Sequence, residues 1–286
     1  MSVTTYNAVD TQELVQTFWS PIVEKELREN TLFPALLQDP NYTLEAVKGG
    51  STYKVSLINK PTSTIKTIGT DADSFTANTL SSTQVDLVVN KRCVSAFEFE
   101  DLAVVMSQLE QADSQIREAL LSDVREQANE WIKSLISPSA PAPDHVIASV
   151  TDFNAAQLSA VRLLAATAKW SASGEPWYLL ADPTYYSDML DDTTLGSAAV
   201  MGAGASPMIN GNFGLKRMNF NILEDNSLAT DKAVAFIPSF MKVILGSPRF
   251  MISDLHAQGK FGYVISVDFP MGAVQLDNKR VITIAN

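Results

Sequence analysis

Residues 99–136, FEDLAVVMSQLEQADSQIREALLSDVREQANEWIKSLI, decide the fold class of this chain. The stretch has no glycine or proline and is rich in Leu, Glu, Gln, Ala and Arg, which favour helices. Apolar side chains recur at steps of three, four or seven and therefore share one helical face. They are Ile116, Leu120, Val124, Trp131 and Leu135. The sequence predicts a long helix over 112–136, with Asp113 able to cap it after a break near Gln111.

Such a helix would be about 37 Å long at ~1.5 Å per residue, whereas the usual helix has about 11–12 residues. No heptad persists, so a coiled coil is not predicted. Two interpretations remain: an ordinary long core helix, or a long helix that spans an extended subunit of a multi-subunit protein. The Pro/Ala/Ser-rich segment 137–144, SPSAPAPD, ends the helix and marks the best candidate hinge.

Composition indicates an ordered chain with an uneven charge distribution. Of its 286 residues 46% are hydrophobic and 19% charged, enough for one large core or two modest ones. The net charge of −11 divides into −5 over 1–45, +3 over 46–97, −6 over 98–136 and −3 over the rest. A nucleic-acid reader would show a basic face, which this chain lacks. The basic segment between two acidic ones suggests attraction between copies.

Targeting and redox signals are few. Cys93 is the single cysteine, so no intrachain disulfide is possible. The N-terminus MSVTTYNAVD has neither a basic region nor an apolar run, so we expect no signal peptide. No window approaches ~20 uninterrupted apolar residues, so we expect no membrane span.

Two strands joined by a polar excursion precede the helix. Residues 49–60, GGSTYKVSLINK, alternate, with Tyr53, Val55 and Leu57 on one side. Residues 85–100, VDLVVNKRCVSAFEFE, resume strand character, and the Thr-rich 61–84 lies between. A loop this long is usually functional or disordered. It is predicted either to protrude and be ordered by a neighbouring copy or to be an ordinary mobile surface loop.

The flanking regions are predicted as follows. Residues 11–30 form two helical pieces interrupted at Pro21, followed by an apolar turn, LFPALLQDP. Beyond the hinge we predict a helix over 153–170, a buried strand over 177–180, and a turn at Asp182 and Pro183 into a short helix. Further strands are predicted over 215–223, over 232–245 with a break near Pro238, and over 261–276 and 280–286. The mixture predicts an α+β class.

Candidate chemistry is sparse, and no catalytic, cofactor or metal site is predicted. His145 and His256 lie far apart without metal-ligand spacing and are expected on the surface. Cys93 lies in a predicted strand and is expected to be a small buried hydrophobe rather than a nucleophile. The glycine cluster at 202–214 lacks the GK[ST] ending of a phosphate loop.

Two acidic pairs and one tryptophan complete the candidates. The pairs Asp191–Asp192 and Glu224–Asp225 could bind a hard cation, but adjacent acids are usually solvated. Trp131 is expected to pack in a core or subunit contact.

The order of these parts resembles the major capsid proteins of tailed bacteriophages, with the Hong Kong 97-type fold. The stretches that carry the resemblance are GGSTYKVSLINKP, VDLVVNKRCVSAFEFEDLA, the 112–136 helix, EPWYLLADPTYYSDML, INGNFGLKRMNFNILEDN and KAVAFIPSFMKVIL. Together they cover about 35–286, by order and texture rather than by one invariant motif.

The resemblance implies five regions: an N-terminal arm (1–45), an extended loop (46–97), a peripheral domain with a spine helix (98–150), an axial domain (151–270) and a C-terminal strand returning to the peripheral domain (271–286). It implies a non-enzymatic protein that forms hexamers and pentamers of an icosahedral shell around double-stranded DNA, without sequence-specific DNA contacts. Lys60 and Lys66 lie in the loop, but no partner motif supports cross-linking.

The resemblance also implies partners and a location. They are further copies of the chain, a separate scaffolding protein (since the arm is too short to hold one), a portal and possible decoration proteins. The location is the virion, after assembly in the host cytoplasm. One alternative is an encapsulin-like nanocompartment. The other is a soluble α+β enzyme or small-molecule binder that uses the 202–214 loop.

Overall fold

The structure is a computed structural model, which describes residues 29, 31–38, 52–58, 61–68, 77, 79, 82–100, 113–139, 145–196, 214–256 and 261–286. The chain forms two compact units. The first contains Met1–Arg28, Val94–Val124 and Pro248–Asp268, and the second contains Glu29–Cys93, Arg125–Ser247 and Phe269–Asn286. The predicted helices of the arm and residues 101–112 lie outside the described residues.

The described helices are few, and one is much longer than the others. They are α1 (Leu32–Leu37), α2 (Asp113–Ser134), α3 (Ala155–Thr167), α4 (Pro183–Asp191) and α5 (Thr193–Gly196). The 22 residues of α2 confirm the predicted long helix, and it begins at the predicted Asp113.

The described strands are short, apart from β3 and β11. They are β1 (Thr52–Ile58), β2 (Ser82–Val88), β3 (Lys91–Glu100), β4 (Val146–Ile147), β5 (Trp177–Ala181), β6 (Gly214–Arg217), β7 (Phe220–Glu224), β8 (Lys232–Phe236), β9 (Met241–Leu245), β10 (Arg249–Asp254), β11 (Gly262–Gln275) and β12 (Val281–Ala285). The mixture confirms the predicted α+β class.

A six-stranded mixed sheet organises the second unit, in the order β4-β12-β8-β5-β7-β6. Strand β5 runs parallel to β7 and antiparallel to β8. Because neighbouring side chains point to opposite faces, Leu179 enters one hydrophobic core and Leu180 the other. The first core also contains Leu158 and Val161 of α3, and the second contains Ile132 of α2. The sheet is therefore covered on both faces.

Helix caps in this unit match the sequence signals. The Asn154 side chain accepts hydrogen bonds from the backbone N–H groups of Ala156 and Gln157 and begins α3. Asp182 caps α4 in the same way, with Pro183 as the first helical residue. The predicted turn into a short helix is thus confirmed.

The first unit is smaller in its described part. It includes α2 as far as Val124, strand β10, and β11 as far as Asp268. Within it the guanidinium carbon of Arg117 lies 5.6 Å from the centre of the Phe250 ring. This is a cation–π distance, and it ties α2 to β10.

Several predicted boundaries were wrong. The single strand over 215–223 is a hairpin, because Met218 and Asn219 adopt φ of 48° and 76° and turn the chain between β6 and β7. LFPALL forms helix α1 instead of a turn. The strand predicted over 85–100 is divided into β2 and β3.

The two units have different bounds from the predicted domains. Residues 248–268, expected in the axial domain, belong to the first unit. Strand β12, expected to return to the peripheral domain, pairs with β8 and β4 in the six-stranded sheet. The assignment of peripheral and axial domains to these units stays a prediction.

Candidate assembly surfaces

The predicted extended hairpin is present. Strands β1 and β2 pair antiparallel from Thr52↔Val88 to Ile58↔Ser82. In β1, Tyr53 and Val55 are half-buried whereas Lys54 and Ser56 are exposed, which confirms the predicted alternation. In the described part of the connecting segment, residues 61–68 form neither helix nor strand.

The root of this hairpin is anchored in a small core of its own. Leu87, Val89 and Ile244 are buried together, and Tyr53, Val55 and Val274 pack against them. Strand β11 crosses closely here, because a Cβ on Gly272 would lie 2.7 Å from the carbonyl oxygen of Val88 and 3.0 Å from the Val89 Cα. Only glycine permits this approach of two backbones.

Gly272→Ala is therefore expected to destabilise the second unit by about 1–3 kcal/mol, since the obstructing atoms are backbone and cannot rotate away. The measurement is the free energy of unfolding in urea. Gly272→Val should cost more than Gly272→Ala, because it adds volume at the same place. Equal stability of the native protein and Gly272→Ala would show that the hairpin root is not held against β11.

Beyond its root the hairpin exposes two large apolar side chains. Ile65 and Ile68 have relative exposures of 102% and 101%, so neither contacts its own chain appreciably. Exposed basic groups occur on the same loop region, at Lys54, Lys66 and Lys91. Isolated exposed apolar side chains are common on proteins, but this pair lies on a segment, 61–68, in which every residue is exposed. Residues 61–68, which we call the loop tip, are therefore the candidate contact surface for another chain.

Helix α2 supplies acidic groups of the opposite sign. Among them Glu118 and Glu130 are exposed, and the segment 98–136 carries a net charge of −6. Single exposed pairs between such groups contribute only ~0–1 kcal/mol, so charge can orient copies but not hold them alone.

A polar cluster joins the C-terminal half of α2 to the turn after β7. The Asn129 side chain donates a hydrogen bond to Ser227 Oγ at 2.9 Å. Lys133 Nζ donates to the carbonyl oxygen of Ser227 and pairs with Glu130. The Asp225 carboxylate accepts from the Ser227 backbone N–H at 3.0 Å. These bonds fix the helix to the sheet, and we call the five residues the helix latch.

Asp225 is the electrostatically costly member of the helix latch. It is fully buried, and its Oδ2 has no hydrogen-bond partner among the described residues. Burial raises the pKa of the Asp225 carboxyl, while the bonds from Ser227 and the charge of Lys133 oppose that rise. The expectation that the Glu224–Asp225 pair is solvated was therefore wrong for Asp225, because the turn closes over it.

A pocket of about 680 Å³ lies beside the helix latch in the second unit. Its walls include Glu29, Lys133 and Lys232, together with residues 226–229 of the turn after β7. A site built on the 202–214 loop stays a prediction, because residues 202–213 lie outside the described part of the chain.

The other sequence candidates have structural roles. Asp192 accepts hydrogen bonds from the backbone of Ala155 and Thr194, and these bonds lower the pKa of its carboxyl. Trp131 packs against the second core, as predicted. Asp191 is exposed, as expected of a solvated acid.

The histidines and the cysteine differ in their surroundings. His145 is fully buried, so the expectation of a surface position was wrong. Its backbone is bonded to Ser139 and Thr283, which carries it into the sheet beside β12. His256 is exposed, as expected. Cys93 is half-buried in β3 rather than buried.

The described ranges contain neither a cluster of metal ligands nor a membrane-spanning helix. No group of three or more His, Cys, Asp or Glu side chains there could hold a metal ion. None of the helices described is both long and apolar enough to cross a membrane. The glycine cluster at 202–214 lies outside the described residues up to Gly214, which begins β6.

Solved phage structures share this architecture over nearly the whole chain. A structure from Mycobacterium phage Che8 matches with a TM-score of 0.70 and 19% identity, over 95% of this chain and 97% of that one. The capsid structure of cyanophage P-SCSP1u gives 0.68 and 16%, over 99% and 96%. The capsid of cyanophage Pam1 gives 0.67 and 13%, over 99% and 98%.

No protein-family model matches the sequence, and no curated protein matches it either. The likeness therefore lies in the fold. The chain has the fold of tailed-phage major capsid proteins, as the sequence resemblance predicted.

Proposed function

We propose that this protein is the major capsid protein of a tailed phage. Its copies form hexamers and pentamers, and these close into an icosahedral shell around double-stranded DNA. The observation that carries the proposal is the agreement of fold with phage capsid structures over almost the full length of both chains. The shared fold thus accounts for nearly the whole polypeptide.

The extended hairpin is the proposed clasp between copies. Its root is held by the cluster around Leu87 and Val89, so the hairpin is fixed where it leaves the second unit. Its described tip leaves Ile65 and Ile68 bare. Burying two such side chains against another copy would contribute about 1.5–3 kcal/mol each. Repeated over the many copies of a shell, contacts of this size add up to a stable particle.

The negative net charge of the chain supports the proposed role as a shell that encloses DNA without binding it tightly. The chain carries a net charge of −11 at neutral pH. Double-stranded DNA binds proteins mainly through basic groups on phosphates, so an acidic wall would hold it weakly. A shell of this kind can be filled without trapping the DNA on its inner surface. The basic loop region then meets acidic surface on a neighbouring copy.

The proposal includes partners and a location. The shell is built in the host cytoplasm on a separate scaffolding protein, filled through a portal, and decorated by further proteins in some cases. It ends in the virion and has no catalytic activity. The structural use of ionisable groups supports the proposed lack of catalysis. Asp192 caps a helix, and Lys133 belongs to the helix latch.

Electron microscopy and sedimentation of the purified protein, expressed with and without a scaffolding protein, test this function. We expect rings or closed particles that sediment far faster than a 31.1 kDa monomer. Particles that protect DNA from nuclease indicate a capsid, whereas particles filled with a protein cargo indicate a nanocompartment. A strictly monomeric species at high concentration under both conditions would contradict assembly altogether.

A further inference from the structure

In the described part of the chain, strand β10 (Arg249–Asp254) lies at the edge of its sheet. It pairs with β11, from Arg249↔Asp268 to Asp254↔Tyr263, and no other described strand pairs with it. The ladder continues one pair further, where the Leu255 N–H donates to the Gly262 carbonyl at 3.0 Å. An edge strand leaves every second residue with its N–H and C=O directed away from the sheet.

The position of that bond identifies the outward residues. Since Leu255 is bonded to β11, the alternation of an antiparallel ladder directs Ser253, Met251 and Arg249 to β11 as well. The Met251 carbonyl also accepts a hydrogen bond from Ser266 Oγ on β11, at 3.5 Å, which agrees with this direction. The backbone groups of Phe250, Ile252 and Asp254 therefore point outward, ready to pair with another strand.

Both faces of this edge carry exposed apolar side chains. Met251 has a relative exposure of 61% and Ile252 of 60%. Adjacent residues of a strand point to opposite faces, so neither face of β10 is covered at its centre. Natural edge strands are usually guarded by charges, bulges or a covering segment. The centre of β10 has none of these guards on its side chains, and this favours a strand partner with apolar side chains on both faces.

The β10 strand of a second copy supplies apolar side chains on both faces in one antiparallel register. Outward residues must face outward residues, so a symmetric pair can centre on Met251 or on Ile252. Centred on Ile252, it places Phe250 beside Asp254 of the second copy. Centred on Met251, it places Phe250 beside Ile252 of the second copy and the two Met251 side chains together. The second register matches apolar with apolar on both faces.

Charge also favours the same strand of another copy. The strand carries one basic and one acidic residue, so it is neutral in a chain of net charge −11. In the Met251 register, Arg249 of one copy lies opposite Ser253 of the other, and Asp254 lies opposite Pro248. No like charges therefore face each other across the pair. A self-complementary pair of this kind is an isologous, two-fold contact.

We propose that β10 of one subunit pairs antiparallel with β10 of a second subunit, about a local two-fold axis at Met251. The contact joins the first compact units of two copies into one continuous sheet. It rests on the proposed function only in that it is a contact between assembled copies. It is separate from the hairpin clasp, because no residue of the hairpin contributes to it.

Disulfide trapping tests the register directly. In a Cys93→Ser background, Met251→Cys places two thiols in a non-hydrogen-bonded pair with Cα atoms about 4.5 Å apart, within disulfide range. Ser253→Cys is the matched control, because it is exposed on the same face of the same strand. In the proposed register its two copies lie four positions apart along the strands, about 14 Å at ~3.4 Å per residue.

Each variant is oxidised mildly as assembled particles and as free protein, then run on a denaturing gel without reductant. Electron microscopy records particle formation, and thiol titration before oxidation checks access. We expect at least a tenfold greater dimer fraction for Met251→Cys than for Ser253→Cys in particles. Equal fractions, or more dimer for Ser253→Cys, would overturn the register. Particles with accessible thiols and no Met251→Cys dimer would overturn the contact and leave the shell function standing. A protein that stays monomeric and forms no disulfide-linked dimer would overturn both the β10 contact and the shell function.

Discussion

Replacing Ile65 and Ile68 together by Asp is expected to abolish particle formation and leave the subunit folded. Both side chains are fully exposed in the isolated chain, so the melting temperature should change by no more than about 2 °C. Assembly should fail because each contact would then bury a carboxylate where an apolar side chain was needed. Sedimentation velocity measures the assembly, and circular dichroism measures the melting.

The matched control is Ser63→Asp with Thr64→Asp. It adds the same two charges to the same segment, which is exposed throughout, but keeps both isoleucines. We expect the control to assemble, with at most a modest loss of yield in low salt. If the Ile variant assembles as well as the control, the loop tip does not hold copies together. If both fail, charge on the loop rather than lost apolar contact is responsible.

Lys133→Met is expected to destabilise the subunit by about 1–3 kcal/mol at pH 7. It removes the hydrogen bond to the Ser227 carbonyl and a positive charge that opposes the rise in the pKa of Asp225. Leaving a buried hydrogen-bonding group without its partner costs about 1–3 kcal/mol. Urea unfolding gives the free energy. Glu130→Gln is the control, because the Glu130 side chain is half exposed and its loss should cost less than about 1 kcal/mol.

Asp225→Asn should behave differently from Lys133→Met, because Lys133 keeps Glu130 as its partner. Burial raises the pKa of Asp225 in the folded protein. The stability that this residue contributes is therefore complete below its unfolded pKa of about 3.9 and lost as the pH rises through the higher folded pKa. The permanently neutral Asn should gain stability relative to the native protein between about pH 4 and pH 7.

The same pH series distinguishes two roles of Lys133 in the helix latch. Lys133 either compensates the charge of Asp225 or acts only through packing and its bond to Ser227. The cost of Lys133→Met should grow from about pH 4 to pH 7, as the Asp225 carboxyl loses its proton. A cost that is independent of pH would show that Lys133 acts through packing and the Ser227 bond alone. A stability gain of Asp225→Asn that falls with rising pH would contradict the raised pKa.

Sequence patterns predicted the elements whose signals are local. The period of the apolar residues located α2, and Asp113 located its start. The turn at Asp182 and Pro183 located the start of α4, where the Asp182 side chain caps the helix. The alternation of Tyr53 and Val55 identified β1. In each case the residue's own neighbours in sequence determine the structure.

The errors arose where distant parts of the chain decide. The turn at Met218 and Asn219 uses positive φ at two residues without glycine, so no turn signal marked it. His145 and Asp225 became buried because β12 and the turn after β7 close over them. The need for glycine at 272 depends on the passing backbone of Val88, about 180 residues away in sequence. Such long-range contacts leave no periodic pattern in the sequence.

The candidate surfaces were predictable only in outline. The length and polarity of the loop indicated a protruding segment, and Ile65 and Ile68 could be recognised as its apolar members. Their complete exposure required the structure. The open edge of β10 was not predicted at all, because its pairing direction depends on the register with β11.

A cryo-electron microscopy map of assembled particles would show how neighbouring subunits meet. We expect residues 61–68 of each subunit to lie against the surface of a neighbouring subunit, with Ile65 and Ile68 covered. A map in which those residues fold back onto their own chain, leaving copies joined elsewhere, would contradict this expectation.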